Sequence, residues 1–393
     1  MPLVEIWKKT PEQLYGKTIQ QILIFAGDGR LKDGNSTCGE FRDYLAHVPS
    51  DELSRFAGQC LDTSFQDSGL ALQDIINQVG KRLGFTVENG RYRGTSTTVG
   101  FDGLWHASGG ETILVEVKTT DAYRLSLDTA ANYRKKLIRD GKIAEETSSL
   151  LYVVGRADTG DLEAQVRGSR FAWNIRLISV DALLRLLRIK EELEDQQTVD
   201  RIRAILMPQE YTRVDGIIDL VFKATEEVRT EAPLGEPEIE SSVDGKAARF
   251  TPVKFRPACI ERIQKFLRET LVRQSAAIFA TPDGSTAVLS ATSREYVKGN
   301  GSHYWFSFHP SQKQTLESYK NAWVTFGCGS ERQILMIPIK KFLTWLPRFH
   351  QTEFNDRFYW HCRIRLVRAT WTFEVKRGEE IIDATPFLLK DRA

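Results

Sequence analysis

Residues 224–249 read ATEEVRTEAPLGEPEIESSVDGKAAR. Two prolines, repeated glutamates and few apolar side chains cannot bury enough surface to offset the entropy of ordering, so the stretch reads as a solvated linker. It divides the 393 residues into two parts, each of which must build its own core. Formal charge is uneven across it: about −3 over residues 1–223, about −4 over 224–250 and about +9 over 251–393. A basic C-terminal part can attract a polyanion, although an ordinary basic surface accounts for the charge equally well.

Five scattered cysteines, with no Cys-x-x-Cys pair, argue against a disulfide framework or a zinc ribbon. His361 and Cys362 are adjacent but have no second ligand pair, so packing is their expected role. No apolar run is long enough to span a membrane, and MPLVEIWKKTPEQ has no signal-peptide core. These features lead us to expect a soluble protein of the reducing cytoplasm, with no membrane contact.

The first 65 residues read as a helical lead-in. Their glycine-rich segment GDGRLKDG, residues 27–34, is not followed by Gly-Lys-Ser/Thr as a P-loop would be. Arg30 and Lys32 fall where an EF-hand needs carboxylates, which leaves a plain turn. Residues 67–83 carry Leu72, Ile75, Ile76, Val79 and Leu83 on one helical stripe, and Gly84 closes the helix. On that wheel Gln73 lies on the shoulder of the buried face, and Asp74 lies nearly opposite it, toward solvent. A strand with an Asn-Gly turn follows, then a hairpin over residues 99–120, and a helix over 128–139 with Arg134, Lys135, Lys136 and Arg139. SSLLYVVGR (148–156) is apolar enough for the middle of a sheet, and NIRLIS (174–179) is another strand. Residues 179–197, opening on Ser179 or Asp181, and 198–207 read as helices. Helix, strand, hairpin, helix, strand, strand, helix is a mixed α/β arrangement.

The C-terminal part holds 21 of the 40 aromatic residues, in runs such as AAIFAT, TAVLSA, HYWFSF, AWVTFGC, QILMIPI, FYWHCRIRL and TWTFEV. With two helices expected near 260–272 and 340–345, it reads as a separate β-rich α+β domain.

The hairpin segment VGFDGLWHASGGETILVEVKTT carries the chemistry. Asp102 precedes Glu116-Val117-Lys118 across a Ser-Gly-Gly turn. In a strand Glu116 and Lys118 share one face, while Val115 and Val117 enter the other layer. Two carboxylates and the Val117 carbonyl supply hard oxygen ligands for a divalent cation. Lys118 can orient or deprotonate a water, or neutralise developing charge. Gln73 can meet a water or the metal shell, or simply cap backbone groups of the sheet.

These residues resemble the PD-(D/E)xK nuclease superfamily, the restriction-endonuclease-like fold. Asp102 in GFDG stands at the first acidic motif, with Phe101 where the family has proline. Glu116-Val117-Lys118 after an apolar ILV run stands at the second, and Gln73 matches the upstream helical Glu or Gln. LQDIINQVGKRLGF, VEVKTTDAY and YRKKLI also look similar to prokaryotic restriction-type nucleases. The resemblance covers residues 65–180. It implies a mixed sheet flanked by helices over a nuclease domain at 66–223, tied by the linker at 224–250 to a recognition or partner-binding domain at 251–393. It implies catalytic Asp102, Glu116, Lys118 and Gln73, and Mg²⁺ (with Mn²⁺ as substitute) held by Asp102, Glu116 and Val117. It further implies endonucleolytic cleavage of DNA, in restriction or defence. A homodimer is in keeping with double-strand cutting, and the C-terminal domain is in keeping with target reading or with a protein or small-molecule activator. Tyr133, Arg134, Lys135, Lys136 and Arg139 would then include phosphate contacts. Two other readings stand beside this one: a non-catalytic DNA- or partner-binding protein on a relic nuclease fold, and an effector nuclease idle until activated.

The triplet alone is weak evidence, since Glu374-Val375-Lys376 repeats the spacing. No upstream helix or partner carboxylate surrounds that copy, which reads as a solvated strand edge. HYWFSF and FYWHCRIRLVR combine aromatic and basic residues as base-stacking surfaces do, although alternating aromatics in strands are more often core. His303, Tyr304, Trp305 and Phe306 are consecutive and cannot all face one side.

Overall fold

A computed structural model describes residues 3–63, 65–93, 100–119, 124–155, 160–192, 200, 203–207, 255–298, 301–354 and 357–390. The linker at 224–250, residues 193–197 of the helix expected at 179–197, and residues 198, 199, 201 and 202 of the helix expected at 198–207 lie outside the described residues. The chain divides into two compact units, Met1–Ala224 and Thr225–Ala393.

The first unit is mixed α/β. Helices α1 (Leu3–Lys9), α2 (Ile19–Phe25), α3 (Ser36–His47), α4 (Ser50–Asp62) and α5 (Ser68–Arg82) precede the sheet. Strands β1 (Thr86–Asn89), β2 (Gly103–His106), β3 (Thr112–Lys118), β4 (Ser148–Val154) and β5 (Ile175–Ser179) pair in chain order. The first two pairings are antiparallel and the last two parallel. Parallel neighbours need crossovers, supplied by α6 (Leu127–Arg139) and α7 (Gly160–Arg167), and α8 (Val180–Glu192) follows β5. Ser179 Oγ accepts from the backbone N–H of Ala182 and caps α8, as expected.

The sheet is buried on both faces, so every residue of β4 is buried, its two opening serines included. Trp105, Ile113, Val115, Leu151 and Val153 pack with α5 and with residues of α1–α4 in one core. Leu104, Leu114, Leu150, Tyr152 and Val154 pack with α6 and α7 in another. Gly80 of α5 admits the Trp105 ring: a Cβ there would stand 2.5 Å from Trp105 Cε2.

Asp74 corrects the helical-wheel expectation. It is 2% exposed, because α3 covers the face of α5 that solvent was expected to meet. Arg42 Nε of α3 donates to Asp74 Oδ1 at 2.8 Å, and the Tyr92 hydroxyl donates to Oδ2. Burial, against Arg42 and Tyr92, lifts the Asp74 carboxyl to about 6.

The second unit has two sheets. One runs β12-β11-β8-β7-β6, from Ile334–Pro338, Asn321–Cys328, Thr286–Ser293, Ile278–Ala280 and Val272–Arg273. The other runs β16-β15-β14-β10-β9, from Ile382–Asp383, Thr370–Glu374, Arg357–Val367, Gly301–Phe308 and Tyr296–Lys298, with β13 (Gln351–Phe354) also on β14. Phe306, Phe308, Phe326, Phe342, Trp360 and Phe373 fill the core they share. The expected helix at 260–272 is α9 (Arg256–Leu267). Arg268 at φ 59° ends it, and Val272 belongs to β6. The helix expected at 340–345 is α11 (Ile339–Leu343), and α10 (Pro310–Glu317) was not anticipated, its proline sitting in the first turn where no N–H is needed. Tyr304 and Phe306 enter the core while His303 and Trp305 face out. Cys362 is buried in the core, so it and His361 point to opposite faces. All five cysteines are buried and free. Among the described residues no helix is long and apolar enough to cross a membrane.

Candidate active site

Asp102 immediately precedes β2, beside the C-terminal end of β3. Its main chain is pinned on every side. The N–H donates to Val115 O at 3.2 Å. The carbonyl accepts from Gly90 N at 3.0 Å, Gln73 Nε2 at 3.0 Å and Asn77 Nδ2 at 2.9 Å. Asn77 Oδ1 in turn accepts from Trp105 Nε1 at 2.9 Å. A Cβ on Gly103 would stand 2.2 Å from that Asn77 oxygen, so glycine there lets the amide reach the strand.

The carboxylate is held separately. In β3, Val115 turns its backbone toward β2 and Lys118 turns its carbonyl toward β4, where Gly155 N donates to it. Val117 therefore faces the β2 edge at the point where regular pairing has stopped. Its N–H donates to Asp102 Oδ2 at 2.7 Å, and its carbonyl turns to the same edge. Lys118 Nζ donates to Glu116 Oε2 at 2.8 Å and lies 4.0 Å from Asp102 Oδ2. Three of the expected residues thus converge on one face, that of Leu114 and Tyr152.

Gln73 comes from α5, which packs against the opposite face. Its amide nitrogen reaches the Asp102 carbonyl rather than the carboxylates, so the hydrogen bond present is the backbone-capping one. Asn77, one turn on, does the same work and was missed. Its signal was its place four residues after Gln73 on a buried helix. Tyr152 was also missed. It stands directly opposite Glu116 in register and was the one aromatic in an otherwise aliphatic run.

The group of charges is only partly open to solvent. Glu116 is 8% exposed, and its Oε1 is buried with no hydrogen-bond partner among the described residues. Burial raises the Glu116 carboxyl from 4.5 to about 7, opposed by Lys118 and reinforced by Asp102. Burial also raises Asp102, against Lys118 and the Val117 N–H. Burial disfavours the Lys118 ammonium, but Glu116 and Asp102 outweigh it and hold its pKa above the ordinary lysine value. Burial, with the two carboxylates, raises the Tyr152 phenol.

No family model matches the chain, and no curated protein matches it. Residue roles therefore rest on the geometry.

The donor set suits a hard divalent cation. It offers two carboxylates, one buried carboxylate oxygen without a partner, and a carbonyl on the same edge. Among the described residues no group of three or more His, Cys, Asp or Glu side chains could hold a metal. Two carboxylates with waters and substrate oxygens are nonetheless how Mg²⁺ is usually bound. On the neighbouring helix α6, Arg134 is buried and spends its guanidinium on Ser148 Oγ and Glu145 O, which removes it from the expected phosphate contacts. Lys135 and Arg139 are exposed.

Proposed function

We propose that this chain is a Mg²⁺-dependent nuclease of the restriction-endonuclease-like class that hydrolyses phosphodiester bonds in DNA. The observation that carries the reading is the convergence of Asp102, Glu116 and Lys118 at the end of one hairpin, with Glu116 Oε1 buried and unpartnered. A structural ion pair needs one carboxylate, and here one ammonium serves two. Asp102, Glu116 and the Val117 carbonyl would hold the ion, with Mn²⁺ able to replace Mg²⁺. When bound, it supplies Lewis-acid polarisation of the phosphate and lowers the pKa of a bound water.

The protein's own groups do the rest. With its pKa held high, Lys118 is an ammonium at neutral pH. From there it can donate to a phosphate oxygen and neutralise developing charge. The Val117 N–H and the three donors on the Asp102 carbonyl fix the first carboxylate before substrate arrives, so little reorganisation is needed in the transition state. Defence against foreign DNA, a homodimer with two cutting sites, and targeting by the basic C-terminal unit belong to the same proposal.

Cleavage of plasmid DNA by the full chain tests it. Cutting is expected with Mg²⁺ or Mn²⁺, absent with EDTA, and lost in Asp102→Ala and Lys118→Ala. Cutting that persists unchanged in those variants sinks the assignment. A folded wild type that binds DNA but cuts no nucleic acid with either metal favours the relic fold.

A further inference from the structure

Strand β14 alternates between two faces. Trp360, Cys362 and Ile364 enter the core, so Tyr359, His361 and Arg363 face outward. In register, Trp305 of β10 stands opposite Arg363, and Thr352 of β13 stands opposite Tyr359. With His350 these side chains line a cleft of about 370 Å³. That volume lies within the range of roughly 300–1,000 Å³ typical of small-molecule sites.

The walls are locked by hydrogen bonds. Trp305 Nε1 donates to His361 Nδ1 at 3.0 Å. Indole nitrogen only donates, so Nδ1 carries the lone pair and the proton sits on Nε2. Nε2 lies 2.6 Å from Thr352 Oγ1 and donates to it. The imidazole is neutral in this arrangement. Burial, with Arg363 and His350 nearby, holds its pKa below the ordinary value. The Trp305 ring meets Tyr359 edge-on at 6.4 Å, and Tyr359 lies 5.0 Å from His361. These rings are shielded by one another on the outer face of the sheet, not by the core, so core packing does not account for them.

The charge is as telling as the rings. Among the described residues no carboxylate lines the cleft. The Arg363 guanidinium has no hydrogen bond or ion pair among the described residues. Glu374, opposite it in register, lies 3.5 Å from His303 instead. A rigid aromatic wall beside an uncommitted guanidinium suits a ligand with a flat ring and an anionic group.

We infer that this cleft binds a nucleotide, its base against Trp305 and Tyr359 and its phosphate against the Arg363 guanidinium. The nucleotide is either a free mononucleotide or one unit of a single strand, since both present a base and a phosphate. The inference is independent of the hairpin's chemistry, because binding is read without metal and without cleavage.

Isothermal titration of the full chain in EDTA tests it, with dAMP and dTMP, their nucleosides, and a short single-stranded oligodeoxynucleotide lacking terminal phosphates. The monophosphates, the oligonucleotide or both are expected to bind. Nucleosides should bind at least tenfold more weakly than monophosphates. Trp305→Ala and Arg363→Gln, each checked for folding by circular dichroism, should each weaken binding at least tenfold. Trp305→Phe, which keeps a ring, should stay within about threefold of wild type. Mononucleotides that bind where the oligonucleotide does not mark a small-molecule site. An oligonucleotide that binds at least tenfold more tightly, and is weakened by the same variants, marks a strand-reading site. The inference is overturned if neither binds wild type at millimolar concentration, if nucleosides bind as well as monophosphates, or if folded Trp305→Ala and Arg363→Gln bind unchanged.

Discussion

The triplet Glu-Val-Lys stands at the ends of two strands of this molecule, closing β3 and running out past β15, and the two copies share only their spacing. Glu116 and Lys118 sit at the end of β3, with the Glu116 side chain 10% exposed and the ammonium 2.8 Å from it. Glu374 ends β15 with its side chain 40% exposed, beside His303. Lys376 does not turn back to Glu374 but donates to the Pro347 carbonyl at 2.9 Å. What separates them is the surroundings. The first has a second carboxylate fixed by Val117 N–H, a helix that pins the strand and a sheet covered on both faces. In water a carboxylate and an ammonium attract only weakly, and burial makes the first copy an electrostatic site.

The comparison breaks most visibly in cleavage. Lys118→Ala is expected to lower plasmid cutting by at least about a hundredfold, the usual cost of losing a preorganised charge stabiliser. Lys376→Ala should leave it within about twofold. Equal losses in the two variants, measured as initial rates on supercoiled plasmid, would show that the environment does not distinguish the triplets.

A second test concerns the support beneath the first copy. Asn77→Ala removes the acceptor of Trp105 Nε1 in the buried interior and one of the three donors to the Asp102 carbonyl. The Trp105 N–H left unpaired costs about 1–3 kcal/mol, while the Asp102 carbonyl keeps its other two donors. Urea unfolding should show a loss of that order with the midpoint lowered. A loss below about 0.5 kcal/mol would mean that water replaces the amide and that α5 does not pin the hairpin.

These tests also show what a reader of the sequence could reach. The strands β2 to β5, the helix α5 and the convergence of Asp102, Glu116 and Lys118 follow from period-two and period-3.6 patterns, which are local. Asp74 did not follow. Its partner Arg42 lies 32 residues earlier on α3, and a helical wheel knows nothing of a second layer. Gln73 was seen on the shoulder of its helix, but whether its amide met a carboxylate or a carbonyl depended on which sheet face the helix covers. That is a long-range fact. The Val117 N–H was invisible for the same reason, and the spacing of Asn77 from Gln73 hinted at its place but not at its partners, since backbone donors and buried amides acquire them only when strands and helices meet. In the second unit the alternation of β14 was readable, whereas the Trp305–His361–Thr352 chain joins three strands whose order no local pattern encodes.

The pH dependence of stability separates the two glutamates further. Burial raises the folded-state carboxyl of Glu116 from 4.5 to about 7, so the folded protein holds this proton more tightly than the unfolded chain. The stability it contributes is full below about pH 4.5 and is lost as pH rises through about 7. In metal-free buffer the melting temperature of wild type should therefore fall relative to Glu116→Gln across that window and run parallel above it. A rise across the window would mean that the Lys118 attraction exceeds the cost of burial.

The smallest effect belongs to the exposed copy. Glu374→Gln removes a carboxylate that lies 3.5 Å from His303 on the outer face of its sheet. Exposed pairs of this kind contribute about 0–1 kcal/mol, and this one exists only when the histidine is protonated. Any loss should therefore stay below about 0.5 kcal/mol by urea unfolding. The substitution also removes the carboxylate nearest Arg363 in register, so nucleotide binding in the cleft should hold or rise slightly. A destabilisation above about 1 kcal/mol that persists at pH 8 would show that Glu374 is tied into its unit as firmly as Glu116, and the contrast between the two triplets would fail at its weaker end.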